Sequence, residues 1–148
     1  MTAATQTPMP VVVVAPVAVP LANINGALLT AVEGGIGYWA TITGYTKPRS
    51  IKFAWDLAAS KKERRPLRLY RFADFPINAG GAVTVTDLDG KTLKLDMTAI
   101  KKGLVLTAKR YPKIFAKLVE QPDVCDFPDA GECDVFVQLC LLGKVVYG

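Results

Sequence analysis

In the run PLRLYRFADF, residues 66–75, Arg68, Tyr70 and Phe72 alternate with Leu67 and Leu69. On an extended strand one guanidinium and two rings would share a face. Cations for phosphates and rings for bases are the chemistry of single-strand or nucleotide binding. The surrounding chain adds Lys52 with Phe53 and Trp55, then Lys61, Lys62, Arg64, Arg65 and Arg71. Lys101-Lys102 and Lys109-Arg110 would carry the basic surface onto a helix. The candidate anion- and nucleic-acid-binding set is therefore Lys52, Arg64, Arg65, Arg68, Tyr70, Arg71, Phe72, Lys101 and Lys102. The same alternation also describes an amphipathic strand with a solvated polar face, and the pattern alone leaves both readings open.

Other chemistries have less to work with. The chain has no histidine, so the usual proton shuttle near neutral pH is missing. Nucleophile–histidine dyads and triads are excluded. Asp87 and Asp89 flank the hairpin and read most simply as turn residues. Asp123, Asp126 and Asp129 crowd one proline-containing loop and could hold a divalent cation, although loop acids are more often simply solvated. No catalytic residue, metal or cofactor is assigned, and a non-enzymatic protein is expected. The three cysteines, Cys125, Cys133 and Cys140, include no CxxC pair, which argues against a zinc site. Cys133 and Cys140 fall on one face of an expected helix, where cysteine acts as a small apolar filler. All three read as reduced, in a cytoplasmic compartment.

Two further features could touch a ligand. GGIGYW, residues 34–39, has the glycines and rings of an anion loop. Phosphate loops, however, run from strand to helix, and here the glycines follow a helix and precede a strand. The helix-end reading is preferred, with Tyr38 and Trp39 on opposite strand faces, one for the core and one able to line a surface. Gln138 sits among Val135, Leu139 and Leu142 and needs partners if buried. A neighbouring backbone group is the first expectation and a ligand the second.

These residues have to be positioned by a chain of 148 residues, enough for one domain with a modest core. Its net charge of +5 is unevenly spread. Residues 1–45 carry no Lys or Arg and one acid, Glu33; residues 46–117 carry 17 basic and 6 acidic residues; residues 118–148 carry Lys144 and six acids. A cationic middle and an acidic end suit anionic partners or head-to-tail contact between copies. The first 22 residues are valine- and proline-rich. Without a basic n-region, and with Pro8, Pro10, Pro16 and Pro20 breaking any helical h-region, they read as an extended arm rather than a signal or a membrane span. Val11–Val14 would lie on the domain or add a strand to a neighbouring subunit, making a homo-oligomer.

From residue 23 onward the periodicities predict a single α+β domain, an antiparallel sheet with three to four helices. Asn23–Glu33 reads as a helix capped by Asn23 or Asn25 and ended by Gly34 or Gly35 in the left-handed conformation. Tyr38–Tyr45 and the 66–75 run alternate as strands, and Ile51, Phe53, Trp55 and Leu57 continue the period-two pattern as a further strand or a covering segment. AVTVTDLDGKTLKLD reads as a hairpin with Asp89-Gly90 at the turn. Asp96 or Thr98 caps a helix weakened by Gly103, and Pro112 kinks it or opens another over 113–120. Asp129 with Glu132 forms a capping-box pattern for a central, nearly all-apolar helix over 131–142, ended by Gly143. KVVYG could return as a short strand.

Three segments, GGIGYWATITGY, KLDMTAIKKGL and CDVFVQLCLLGKVVYG, together resemble a family of small, uncharacterised tailed-bacteriophage proteins. The shared pattern is Gly34, Gly35, Tyr38 and Trp39; then Asp96, Ile100, Gly103 and Leu104; then Asp134, Val137, Gln138, Gly143, Tyr147 and Gly148. It covers about two thirds of the chain and omits the arm and most of 46–80. The resemblance implies a phage protein acting in the host bacterial cytoplasm, with no catalytic residues to carry over. Small phage accessory proteins commonly redirect host factors. The expected function is accordingly a non-enzymatic accessory protein binding a nucleotide signal, a nucleic acid or a nucleic-acid-handling host complex, as in counter-defence. The alternative is a structural or assembly protein whose arm clasps its neighbours.

Overall fold

Pro20 sets where the first helix begins. Its fixed φ suits a helix start, and its carbonyl accepts from the amides of Asn23 and Ile24 at 3.0 and 3.2 Å. The computed structural model describes residues 16–46, 81–120 and 127–148. Helix α1 runs Leu21–Thr30 and buries Asn23, Ile24, Ala27 and Leu28, a stripe at helical spacing. It passes into a π-helical turn, Ala31–Gly35, closed by Ile36 N–H donating to the Ala31 carbonyl at 2.8 Å.

The expected start and stop of this helix are both corrected. Neither Asn23 nor Asn25 caps it, because Pro20 starts the helix ahead of them. Gly34 and Gly35 are not left-handed: among the described glycines positive φ occurs only at Gly90, Gly143 and Gly148. The wide π turn replaces the glycine stop. Gly35 is small for another reason, since a Cβ there would lie 2.7 Å from the Ala130 carbonyl oxygen.

Three antiparallel strands follow, in the order β1 (Ala40–Thr46), β2 (Ala82–Asp87) and β3 (Thr92–Leu95). A bulge between Ile42 and Gly44 leaves Thr43 outside the β1–β2 register, and its hydroxyl meets that of Thr86 at 2.8 Å. Val83, Val85 and Leu95 enter the core while the Thr84, Thr86, Thr92 and Lys94 face does not. The Asp-Gly hairpin forms as expected. Gly90 takes φ 79°, and the Asp87 carboxylate accepts from the amides of Asp89 and Lys91, both at 2.9 Å. Trp39 is not in a strand: the strand begins one residue later, so Trp39 and Ala40 are both buried although adjacent. The strand or covering segment expected over 51–57 and the strand expected over 66–75 lie outside the described residues.

Helix α2, Met97–Arg110, is capped by Asp96, whose carboxylate accepts from Ala99 N–H at 2.9 Å. Pro112 opens α3, Pro112–Val119, as its N1 residue. Asn23 serves this helix instead of its own: its side-chain amide donates to the Leu118 and Glu120 carbonyls at 3.0 and 2.8 Å, filling acceptors the helix end leaves open.

Helix α4, Ala130–Leu142, is the buried centre. Its capping box is complete, Asp129 accepting from Glu132 N–H at 2.8 Å and Glu132 from Asp129 N–H at 3.0 Å. Cys133, Phe136, Val137, Leu139 and Cys140 are all buried in it. Gly143 ends it at φ 72°. Gly103 of α2 is where the two helices cross, because a Cβ there would fall 2.1 Å from Cys140 Sγ and 2.9 Å from its Cα. That glycine permits the close packing, whatever it costs α2 in propensity. The closing residues 145–148 form no sheet strand; they attach to a side chain instead. The result is a single α+β domain. Among the described residues no helix is long and apolar enough to cross a membrane.

Candidate functional site

The π turn, the turn at 36–39 and α4 bring Tyr38, Trp39, Asp134 and Gln138 together. Ile36 carbonyl accepts from Trp39 and Ala40 N–H at 2.9 and 3.0 Å, which tightens the turn and drives the indole inward. Asp134, 6% exposed, accepts from Trp39 Nε1 at 2.8 Å through Oδ1 and from the Tyr38 hydroxyl at 2.7 Å through Oδ2. Gln138, one turn on, donates Nε2 to both carboxylate oxygens at 3.1 and 3.2 Å. These charge-assisted bonds replace the water a buried carboxylate has lost.

The other side of Gln138 holds the segment after α4. Its Oε1 accepts from Val146 and Tyr147 N–H at 2.8 and 2.9 Å, and its Nε2 donates to the Tyr147 carbonyl at 2.9 Å. The side-chain amide thus acts as a single peptide group of a missing strand. Tyr147 then stacks on Trp39, ring centroids 5.0 Å apart and planes 10° from parallel.

Chemically this cluster is closed. The hydrogen bond to Asp134 pushes the Tyr38 hydroxyl up to about 12, with burial and the carboxylate charge adding to it. Tyr38 therefore stays protonated as a donor. Burial also raises the Tyr147 hydroxyl, and Asp87 and Asp89 add to it. Of the three candidate ligand contacts, Trp39 is fully buried, Gln138 is occupied by the chain itself, and Tyr38 alone is at the surface, 52% exposed. The buried thiols are quiet too: burial raises Cys133 to about 12 and pushes Cys140 up further. Both are free cysteines. No group of three His, Cys, Asp or Glu able to hold a metal occurs among the described residues; Asp129 is a helix cap, and Asp123 and Asp126 lie outside them.

The second surface is cationic. Residues 97–117, all of α2 and most of α3, hold six cations and no acid. Lys101, Lys102, Lys109, Arg110 and Lys113 are exposed. At 100° per residue, Lys101, Lys102 and Lys109 fall within about a 100° arc of α2, opposite Ile100, Gly103 and Thr107. Arg110 turns aside and donates to the Gly143 carbonyl at 3.0 Å, and Lys102 lies against Gly143. Cations there complement the negative end of α4. Lys117 pairs with Glu132 at 2.8 Å. Lys101, Lys109 and Lys113 have no charge partner among the described residues. Next to this ridge is a shallow concavity of about 380 Å³ lined by Arg110, Tyr111, Pro112, Lys113, Ile114 and Glu132.

Of the sequence-derived binding set, Lys101 and Lys102 stand side by side on this face. Lys52, Arg64, Arg65, Arg68, Tyr70, Arg71 and Phe72 lie outside the described residues. Two central residues, Asp134 and Tyr147, had no role that residue type and spacing alone assigned. The signal for Asp134 was an acid in an apolar helix four residues before a glutamine, the spacing of side-chain neighbours. Comparison with known families, with curated proteins and with solved structures finds no match to this chain.

Proposed function

We propose that the protein is a non-enzymatic bacteriophage accessory protein that binds an anionic partner in the host cytoplasm. The observation that carries this reading is the cationic face of α2 and α3, helices that hold no acid over 97–117, where Lys101, Lys109 and Lys113 are exposed and without charge partners among the described residues. Isolated surface lysines are ordinary, but six cations with no acid between them in sequence, of which only Lys117 meets a carboxylate among the described residues, that of Glu132, raise the local positive potential. The chain between β1 and β2 adds nine more basic residues against three acids over 47–80. The phage setting rests on the resemblance carried by the three motifs. A nucleotide signal, a nucleic acid or a host complex that handles one are the partners this charge suits. The test is binding of polyanionic and nucleotide probes to the full chain across a salt series. Affinity should fall steeply with salt, and reversing Arg68, Arg71 and Lys101 to Glu should abolish it. Indifference to both refutes the reading.

One observation favours the alternative, an assembly protein clasping its neighbours. Val17, before α1, and Leu21, its first residue, are exposed, although Val19 between them packs against the core. Deleting residues 1–18 should then lower the mass seen by light scattering, and an unchanged mass rules the clasp out.

A further inference from the structure

We infer that the cationic ridge binds the phosphodiester backbone of a nucleic acid, without reading its sequence, rather than a free nucleotide. This rests on the anionic-partner reading and makes it specific. Lys101 and Lys109 sit eight residues apart on one helix face, about 12 Å along the axis, and Lys113 continues the charge at the start of α3. A small anion is gripped by donors that converge in a concave site. Lys101 and Lys109 instead stand on the outward side of α2, with Val105 between them exposed to solvent; Lys113 does line the neighbouring concavity, but there it sits with the Glu132 carboxylate rather than with a converging set of donors alone. A row of point charges matches a polymer of regularly spaced phosphates.

The composition of the face argues against base reading. Its exposed side chains are Thr98, Lys101, Lys102, Val105, Lys109 and Lys113, with no Asn or Gln. Arg110, the group best suited to a bidentate grip on guanine, is engaged with the Gly143 carbonyl. Lysines without such partners position a backbone and leave sequence unread.

The experiment is fluorescence anisotropy of the full chain with two 20-base-pair DNA duplexes of unrelated sequence, an RNA duplex, ATP and a cyclic dinucleotide, over a series of KCl concentrations. A variant with Lys101, Lys109 and Lys113 all changed to Gln is measured beside it, its fold checked by circular dichroism. The inference expects both DNA duplexes to bind with the same affinity. It also expects the slope of log K against log salt to become shallower in the variant by roughly 2.7, about 0.9 for each phosphate no longer neutralised. Comparing the DNA and RNA duplexes identifies the source of the backbone, and binding of either supports the inference. Tighter binding of ATP or the cyclic dinucleotide than of any duplex overturns it while leaving the anionic reading intact. So does duplex binding with a strong sequence preference, or with a slope unchanged by the variant. Failure of every probe to bind overturns both.

Discussion

Replacing Asp134 by Ala tests the buried network directly. The substitution removes the acceptor shared by three side chains. Trp39 is fully buried, so its indole N–H, now 2.8 Å from Oδ1, would be left without a partner, a cost of about 1–3 kcal/mol. The Tyr38 hydroxyl can turn to water because the residue is half exposed, and its loss is closer to ~1 kcal/mol. Gln138 keeps its bond to the Tyr147 carbonyl and loses less. Relief of burying a charge offsets part of this. The expected net is about 3 kcal/mol, which for a chain of this size lowers Tm by roughly 6–12 °C. Thermal and urea unfolding of D134A, W39F and the double variant form the assay. The two single losses should not add, because Trp39→Phe removes the donor that Asp134→Ala strands. A cost for D134A below about 0.5 kcal/mol, or strict additivity in the cycle, would refute the claim that this carboxylate holds the turn to α4.

Three other outcomes follow from the same geometry. Tyr38, raised from 10.0 to about 12, contributes stability that is fully present below pH 10 and is lost as pH rises through 12. The stability difference between wild type and Y38F should therefore hold constant below pH 10 and shrink above it in urea titrations, and a pH-independent difference would contradict the hydrogen bond. Gly103→Ala should destabilise by about 1–3 kcal/mol through overpacking against Cys140, despite improving helix propensity; a stabilised variant in thermal melts would show that the helices can separate freely. Cys133 and Cys140, buried with raised thiol pKa values, should remain unlabelled by a thiol reagent at pH 8 and label in denaturant, as read by peptide mass mapping. Rapid native labelling would place them at the surface.

The parts of this fold legible from sequence were those governed by neighbours. Asp87 and Gly90 make their turn from within five residues, Asp96 and the Asp129–Glu132 box cap the helices they precede, and Pro112 and Gly143 start and stop theirs. Asn23 shows where local reading fails. Its type suits a cap, yet it lies inside α1 and binds the end of α3, more than ninety residues away. Gly34 and Gly35 misled in the same way. A glycine pair after a helix suggests a left-handed stop, whereas Gly35 is needed for the close approach of Ala130.

The candidate site divides along the same line. The absence of acids between 97 and 117, and the period that gathers Lys101 and Lys109 on one side of α2, are properties of the string, because a helix of known phase determines which residues share a face. Which cations remain unpaired was decided by tertiary structure, since Arg110 meets Gly143 and Lys117 meets Glu132 only when α2, α3 and α4 are packed together. The motifs GGIGYW and DVFVQLCLLGKVVYG could each be quoted from the chain, but nothing in either said that they touch. Asp134 and Gln138 join them because a buried carboxylate and a buried amide must find partners, and folding placed Tyr38, Trp39 and the backbone of Val146 and Tyr147 within hydrogen-bond reach.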